Sequence, residues 1–457
     1  SIIILLIDIN RIAYFFVVAA LYLTIFVQIF SQKISTNAII LEIISVMANV
    51  IYGTTLVYPL FFRTTDILIH NIFSTVTFLS GHTIPVDLDA SYAPFPLFHI
   101  YNAVSSSILG LPAQDTHFIV MCLAYVIVAL FLYKIFKVIS DNEQVSLLAC
   151  LCFSVIPTVL TRGIEMVTSV TAFVGFVILL YSILMAKERG SIAYSALIII
   201  SAIFIILVHQ VSIAQIVPLI VLLMACEFIL GEQQYFSTYQ VLFIIVTFSA
   251  YWIFSSRLFL DQLIGQRIDL DYFDFGEKHQ TLIDPSLDQM QVAVMFLQNQ
   301  IDMGIFLFFA LIGIGYILYR QKPAYLPVIA VFSLCVLMFY IPNPLFTSQT
   351  IARIYRIDRF WILIAPFMAF AMASGVLWLS KLFQKHAKSK ITYSLITFLF
   401  ALFILLSLQN PILGITSKEG RSYFTDGELH GYHYVTEKIP YGAELYSDYH
   451  TTRYFCL

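Results

Sequence analysis

The chain has 457 residues, of which 60% are apolar and only 11% charged; its mean hydropathy is +0.89 and its formal net charge −3. Ordinary soluble domains carry about 25% charged residues, so this composition excludes a water-soluble domain and points to lipid as the solvent. No basic tail or Lys/Arg cluster with interleaved aromatics is present, which excludes nucleic acid as a partner.

Apolar stretches long enough to cross a bilayer core as helices recur along the chain. They predict about twelve spans, at 12–31, 38–61, 116–137, 145–159, 168–186, 191–208, 212–230, 239–255, 301–319, 325–341, 360–380 and 391–408. The stretches 67–80 and 95–110 carry or adjoin histidines and prolines and are expected to be interfacial helices. Alternating the spans collects Lys33, Lys134, Lys137, Lys187, Arg189, Arg320, Lys322, Lys381, Lys385, Lys388 and Lys390 in short loops on one side. The positive-inside rule makes that side cytoplasmic. The expectation is therefore an all-α, multi-pass plasma-membrane protein with both termini outside. Residues 1–409 would form the transmembrane domain, and 410–457 the start of a small extracytoplasmic α/β segment. A start at Ser1 and a stop just after Cys456 are read as trimming of a longer parent chain. Cys122, Cys150, Cys152, Cys226 and Cys335 fall in apolar runs and are read as core residues; the Cys150/Cys152 pair has no further ligands at zinc-site spacing.

On this topology 21 of the 27 acidic residues fall on the outer side. Of the rest, Glu42 and Glu227 lie within spans, and both are expected near helix ends. A carrier concentrates its polar chemistry at the midplane and repeats its hydropathy pattern, and neither feature is present. The outer loops are where chemistry is expected. The first contains Asp66 and His70, four residues apart and so on one helical face, then Asp87-Leu-Asp89 and Tyr92-Ala-Pro94-Phe-Pro96-Leu-Phe-His99. Asp66 is equally well placed as a helix-capping carboxylate and as a catalytic group.

An acidic residue just after an early span, an interfacial helix and a Tyr-x-Pro-x-Pro-like segment leading into a second amphipathic helix resemble the GT-C membrane glycosyltransferases. That superfamily includes oligosaccharyltransferases and protein mannosyltransferases. The resemblance implies a sugar donor carried on polyprenyl or dolichyl phosphate, an unspecified acceptor, a reaction on the outer face and Asp66 at the active site. Pro157-Thr-Val-Leu-Thr-Arg162-Gly-Ile-Glu165 is similar to the second acidic loop of such enzymes, with an arginine and a carboxylate toward the donor; a capped turn carrying an Arg/Glu pair is the alternative. Val208-His209-Gln-Val-Ser212 is a polar break that either contacts donor phosphate or caps a helix. Arg353 and Arg356, one turn apart, suit phosphate oxygens or lipid headgroups. The resemblance favours a donor-phosphate contact in that late loop.

The expected catalytic set is thus Asp66, Glu165 and His70, and the phosphate-binding set is Arg353, Arg356, Arg162 and His209. Asp269 and Asp271 in the acidic 256–300 segment, with Tyr92, are expected to form a lid or acceptor groove. The Asp87/Asp89 and Asp269/Asp271 triplets are weak candidates for a divalent cation, and no other cofactor is implied. The sequence departs from oligosaccharyltransferases in lacking a Trp-Trp-Asp motif, which implies transfer of one sugar rather than a preassembled glycan. A lipid-linked sugar carrier or flippase and a noncatalytic membrane scaffold are the alternatives.

Overall fold

The computed structural model describes residues 11–31, 33–56, 58, 60–62, 64–230, 235–261, 289–320, 357–386, 389–413, 424–440 and 446–455. These residues are helical, with no strand among them. The helices are α1 (Arg11–Ser31), α2 (Thr36–Thr55), α3 (Asp66–Ser80), α4 (Leu97–Leu109), α5 (Ala113–Val126), α6 (Val128–Ser140), α7 (Glu143–Val155), α8 (Pro157–Glu165) and α9 (Thr168–Arg189). They continue as α10 (Ile192–Val208), α11 (Ser212–Leu230), α12 (Thr238–Ala250), α13 (Gln289–Arg320), α14 (Ile357–His386), α15 (Ser389–Leu408), α16 (Asp426–Lys438) and α17 (Tyr449–Phe455). Single π-turns extend α12 over Tyr251–Ser255 and α15 over Gln409–Leu413.

Six helical segments among the described residues are long and apolar enough to cross a membrane: α1, α2, α5 with α6, α9, α12 with its π-turn, and Phe360–Leu382 of α14. The pair α7–α8, bent by 59°, makes a seventh if counted as one broken span. Ile192–Val208, Ser212–Ala225, Gly304–Tyr319 and Ser394–Leu408 are shorter apolar helices. The expected span 325–341 lies outside the described residues, so the structure supports a membrane protein of at least six spans without fixing the count at twelve. The 67–80 and 95–110 stretches form α3 and α4, two short helices packed on each other and on α5. After the last apolar helix the tail forms α16 and α17; the strand expected beyond Gly442 falls largely outside the described residues.

Local sequence explains the breaks. Asn142 caps α7, its side chain accepting the Val145 N–H at 3.0 Å, so that α6 and α7 join through a turn in which Asp141 is left-handed. Pro157 cannot donate a backbone hydrogen bond, and Ile156 leaves the helical region, which separates α7 from α8. In an apolar setting a carbonyl released by such a break needs a substitute donor, and the Tyr22 hydroxyl supplies it to Ser154 at 3.0 Å. Tyr125 likewise donates to the Val159 carbonyl at 2.7 Å and Tyr52 to that of Ile119 at 2.6 Å. Glu227, in the last turns of α11, accepts the Phe236 N–H at 2.9 Å, a helix-end role as expected. Cys122, Cys150 and Cys152 are buried free thiols.

The tightest crossing is α13 against α14. A methyl group placed on Gly313 would collide with the Ala371 carbonyl, and one on Gly375 with the Phe309 carbonyl. Lipid gives no hydrophobic drive for helix association, so close backbone approach through small residues supplies the packing. A Gly375→Val substitution is therefore expected to cost about 1–3 kcal/mol, read as a lowered melting temperature in detergent, whereas Gly315→Val, where no neighbour would be met, should leave it unchanged.

Candidate active site

The long connection after α2 is assembled by α3, α4 and the turn between them. Asp66 is the first residue of α3 and is exposed, its N–H donating to the Thr64 hydroxyl at 3.4 Å. The N-cap itself is Thr65, which makes no side-chain capping bond, so the Asp66 carboxylate stands in the first turn, where the helix dipole favours it. One turn on, His70 is buried at 4% exposure, and its Nδ1 lies 3.1 Å from Nε2 of His99 on α4. One ring donates and the other accepts in that contact. Tyr92 packs edge-on to His70 with ring centroids 4.9 Å apart, and Phe98 does so at 5.4 Å.

Burial pushes the His70 imidazole well below its ordinary range, and His99, His117, His209 and Arg453 add repulsion. Burial, with His117 again, lowers His99 to about 3. Both rings are therefore neutral near pH 7, beneath an exposed carboxylate on the same helix. The surrounding polar set is dense: the Asn71 amide, the Nδ1 atoms of His99 and His117, the Asn102 carbonyl oxygen and the Ser106 hydroxyl are buried with no hydrogen-bond partner among the described residues. These residues sit on the three mutually packed helices α3, α4 and α5.

The second acidic loop joins the first through α5. His117 Nε2 donates to the Met166 carbonyl at 2.9 Å, and Met166 ends α8 in a left-handed conformation. Just before it, Arg162 and Glu165 form a half-buried ion pair at 2.7 Å. Just after it, Val167 packs against the cluster of Phe62, Ile67, Leu68 and Phe424, to which residues on both sides of Asp66 contribute. Arg162 and Glu165 are thus held together as the capped-turn reading expected, and the same turn is anchored to the first loop.

His209 occupies the junction of α10 and α11. Its Nδ1 accepts the Ser212 N–H at 3.1 Å and lies 2.7 Å from the Ser212 hydroxyl, so the ring caps α11 and a neutral His209 carries its proton on Nε2. Next to it Val211 packs against Phe95 and Phe259, while Tyr251 donates to the Pro94 carbonyl. The Tyr92–Pro96 segment is thereby clamped between the first loop and the π-turn that ends α12.

Of the cation candidates, Asp89 is spent on the turn, its Oδ1 accepting the N–H groups of Ser91 at 2.7 Å and Tyr92 at 3.0 Å, and Asp87 is exposed. Among the described residues no three His, Cys, Asp or Glu side chains stand together as a metal site. Arg353, Arg356, Asp269 and Asp271 lie outside the described residues. Sequence reasoning gave His99 no role and did not consider His117 or Arg453; nothing in their spacing from Asp66 marks them.

The neutral imidazole pair has a consequence for stability. A histidine whose value is depressed in the fold stabilises the protein above its unfolded value of about 6.5, and that stabilisation is lost as pH falls toward the folded value. Unfolding should thus be favoured by up to about tenfold per pH unit per imidazole from about pH 6.5 downward. His99→Gln is expected to flatten the dependence of melting temperature on pH between about 6 and 4; an unchanged slope would place its origin elsewhere.

No family model and no curated protein sequence matches the chain. Solved structures do. The apo oligosaccharyltransferase of Archaeoglobus fulgidus aligns with a TM-score of 0.55 at 13% identity, over 88% of this chain and 58% of that one. The oligosaccharyltransferase AglB of the same organism, in complex with an inhibitory peptide and a dolichol-phosphate, aligns with a TM-score of 0.56 at 12% identity over the same shares. A form tethered to an acceptor peptide containing the NVT sequon gives 0.52 at 12% identity, over 90% of this chain and 59% of that one. The chain therefore spans a little under three fifths of the length of these enzymes. Its helices adopt the fold of these archaeal oligosaccharyltransferases.

Proposed function

We propose that the chain is a glycosyltransferase that moves a sugar from a polyprenyl-phosphate donor to an acceptor on the outer face of the membrane, with inversion. The observation that carries this reading is the meeting of the two acidic outer loops, Asp66 and His70 on α3 with Arg162 and Glu165 on α8, through the His117–Met166 bond and the Val167 contact. AglB in complex with a dolichol-phosphate supports a lipid-linked donor, and the tethered sequon peptide makes a polypeptide a candidate acceptor. In this reading Asp66 takes the proton of the acceptor nucleophile as its oxygen bonds to the anomeric carbon; the bond from that carbon to the phosphate oxygen breaks, and the electron pair leaves with polyprenyl phosphate.

The roles follow from environment. Asp66 is exposed on the first turn of α3, where a substrate can reach it. His70, neutral and tied to His99, orients rather than competes for the proton. Glu165 holds the Arg162 guanidinium toward the loop, and Arg353 and Arg356 are assigned to the developing phosphate charge. Tyr92, with its ring on His70, forms the floor beneath the acceptor, and Asp269 and Asp271 would close over it. His209, as a cap of α11, positions the neighbouring segment and is a less direct phosphate ligand. Apolar grooves between the spans would take the prenyl chain. Placement of the reaction on the extracytoplasmic face of a plasma membrane rests on the basic short loops.

The test is release of labelled sugar from polyprenyl-phosphate donors in proteoliposomes. Asp66→Asn should lower kcat by about 10²–10⁴-fold with an unchanged melting temperature. His70→Gln, a positioning change, should cost less and shift the pH profile. Equal passage of intact label across the bilayer in wild type and Asp66→Asn would establish a carrier instead. Unchanged cellular function of Asp66→Asn, with no turnover in either protein, would establish a scaffold.

A further inference from the structure

The helix pair α3–α4 is inverted in polarity. On α4 the residues turned into the protein are His99, Asn102 and Ser106, each at most 1% exposed and spaced i, i+3, i+7. Those turned outward are Tyr101, Val104 and Ile108, at the same spacing two positions on. Two positions amount to about 200° of helical rotation, so the polar and apolar stripes occupy opposite faces. The companion helix follows the same rule: His70, Asn71 and Ser74 of α3 are buried, whereas Phe78 and Leu79 are exposed. The exposed hydroxyls of Thr75 and Ser107 donate to carbonyls of their own helices, that of Asn71 at 2.8 Å and that of Ala103 at 3.2 Å, and so need no water. No Asp, Glu, Lys or Arg occurs from Ile67 to Val86 or from Ala90 to Gln114.

We propose that the outward face of α4, with the end of α3, is a lipid-contact surface: the pair is sunk in the leaflet where α5 begins, its apolar residues against acyl chains and its polar residues against the protein. A helix resting on a bilayer surface turns its polar face to water. Here the polar groups face the protein instead, the arrangement expected of a helix solvated by hydrocarbon. Continuity with the spans favours lipid over a protein partner. Only Gly110, Leu111 and Pro112 separate α4 from α5, whose span starts at Ala113, and Leu111 is exposed as well. α4 also packs on α10, and both neighbours present apolar side chains outward, Leu123 and Ile127 on the α5–α6 span and Ile200 and Ile203 on α10. With 13 residues α4 is about 20 Å long against a hydrocarbon core of about 30 Å, so it enters one leaflet without crossing to the other. Because both stretches lack Lys and Arg, hydrophobic insertion rather than headgroup charge holds the pair in place. The His70–His99 contact then lies on the protein side of a lipid-facing shell. This inference is independent of the transferase reading.

The test uses the full chain in phosphatidylcholine vesicles. The photoreactive residue benzoylphenylalanine, which inserts into neighbouring C–H bonds, replaces Val104, Ile108 or, for comparison, Tyr434, which is exposed on α16. After irradiation, mass spectrometry should find phosphatidylcholine adducts at least tenfold more abundant at the Val104 and Ile108 positions than at Tyr434. Unsubstituted protein supplies a second reading: hydroxyl-radical labelling in the same vesicles should oxidise Phe78 and Tyr101 at least tenfold less than the exposed Tyr434 and Tyr446. Lipid adducts equally scarce at all three positions, or oxidation of Phe78 and Tyr101 as fast as that of Tyr434, would place the face in water and overturn the proposal. Adducts to a second copy of the chain would overturn it in favour of a protein interface. When sugar-free polyprenyl phosphate is added as a minor component, adducts that move wholly to the prenyl chain would overturn it in favour of a site for that one lipid.

Discussion

A hydrogen bond from the His117 imidazole to the Met166 carbonyl ties α5, on which α3 and α4 pack, to the turn that ends α8. Both partners are buried, and breaking such a bond without replacement costs about 1–3 kcal/mol, because neither group finds water. His117 is on the helix that supports α3 and α4, and Met166 follows the Arg162–Glu165 turn. The geometry of the proposed site is consequently a property of the helix bundle rather than of either loop. The bend before Pro157 makes this possible, since a straight continuation of α7 would carry the turn away from α5.

The site has two electrostatic levels. Asp66 is exposed at a helix N-terminus, while directly beneath it the His70–His99 pair is kept neutral by burial. Charge in the lower level is unfavourable because its neighbours include two further histidines and an arginine, and because apolar surroundings do not solvate an ion. This level also concentrates buried polar groups, Asn71 and Asn102 among them, in a region that a purely structural helix pair would fill with apolar side chains.

Tail and loops share one apolar cluster: Val167, Tyr432 and Tyr454 all pack against the group formed by Phe62, Ile67, Leu68 and Phe424. A segment whose sequence reads as the start of a separate domain is thus packed on the helix that carries Asp66. The Tyr92–Pro96 stretch is held in a similar way, by Val211, Phe259 and Tyr251, with the Tyr92 ring edge-on to His70.

Composition and hydropathy by themselves determined that the chain is a membrane protein, that α3 and α4 are short amphipathic helices rather than spans, and that Asp66 and His70 share a helical face, because these depend on local periodicity and on the solvent the side chains demand. The Arg162–Glu165 pair was legible for the same reason, being three residues apart on one helix. The contacts of His70 with His99 and of His117 with Met166 were not, for they join residues 29 and 49 positions apart whose meeting follows from how α3, α4, α5 and α8 pack. Nor was the neutrality of the histidines, which is a consequence of burial and not of residue type. The docking of the tail belongs to the same class: only the tertiary structure decides which apolar surface the tail aromatics find, and they find Phe62, Ile67 and Leu68.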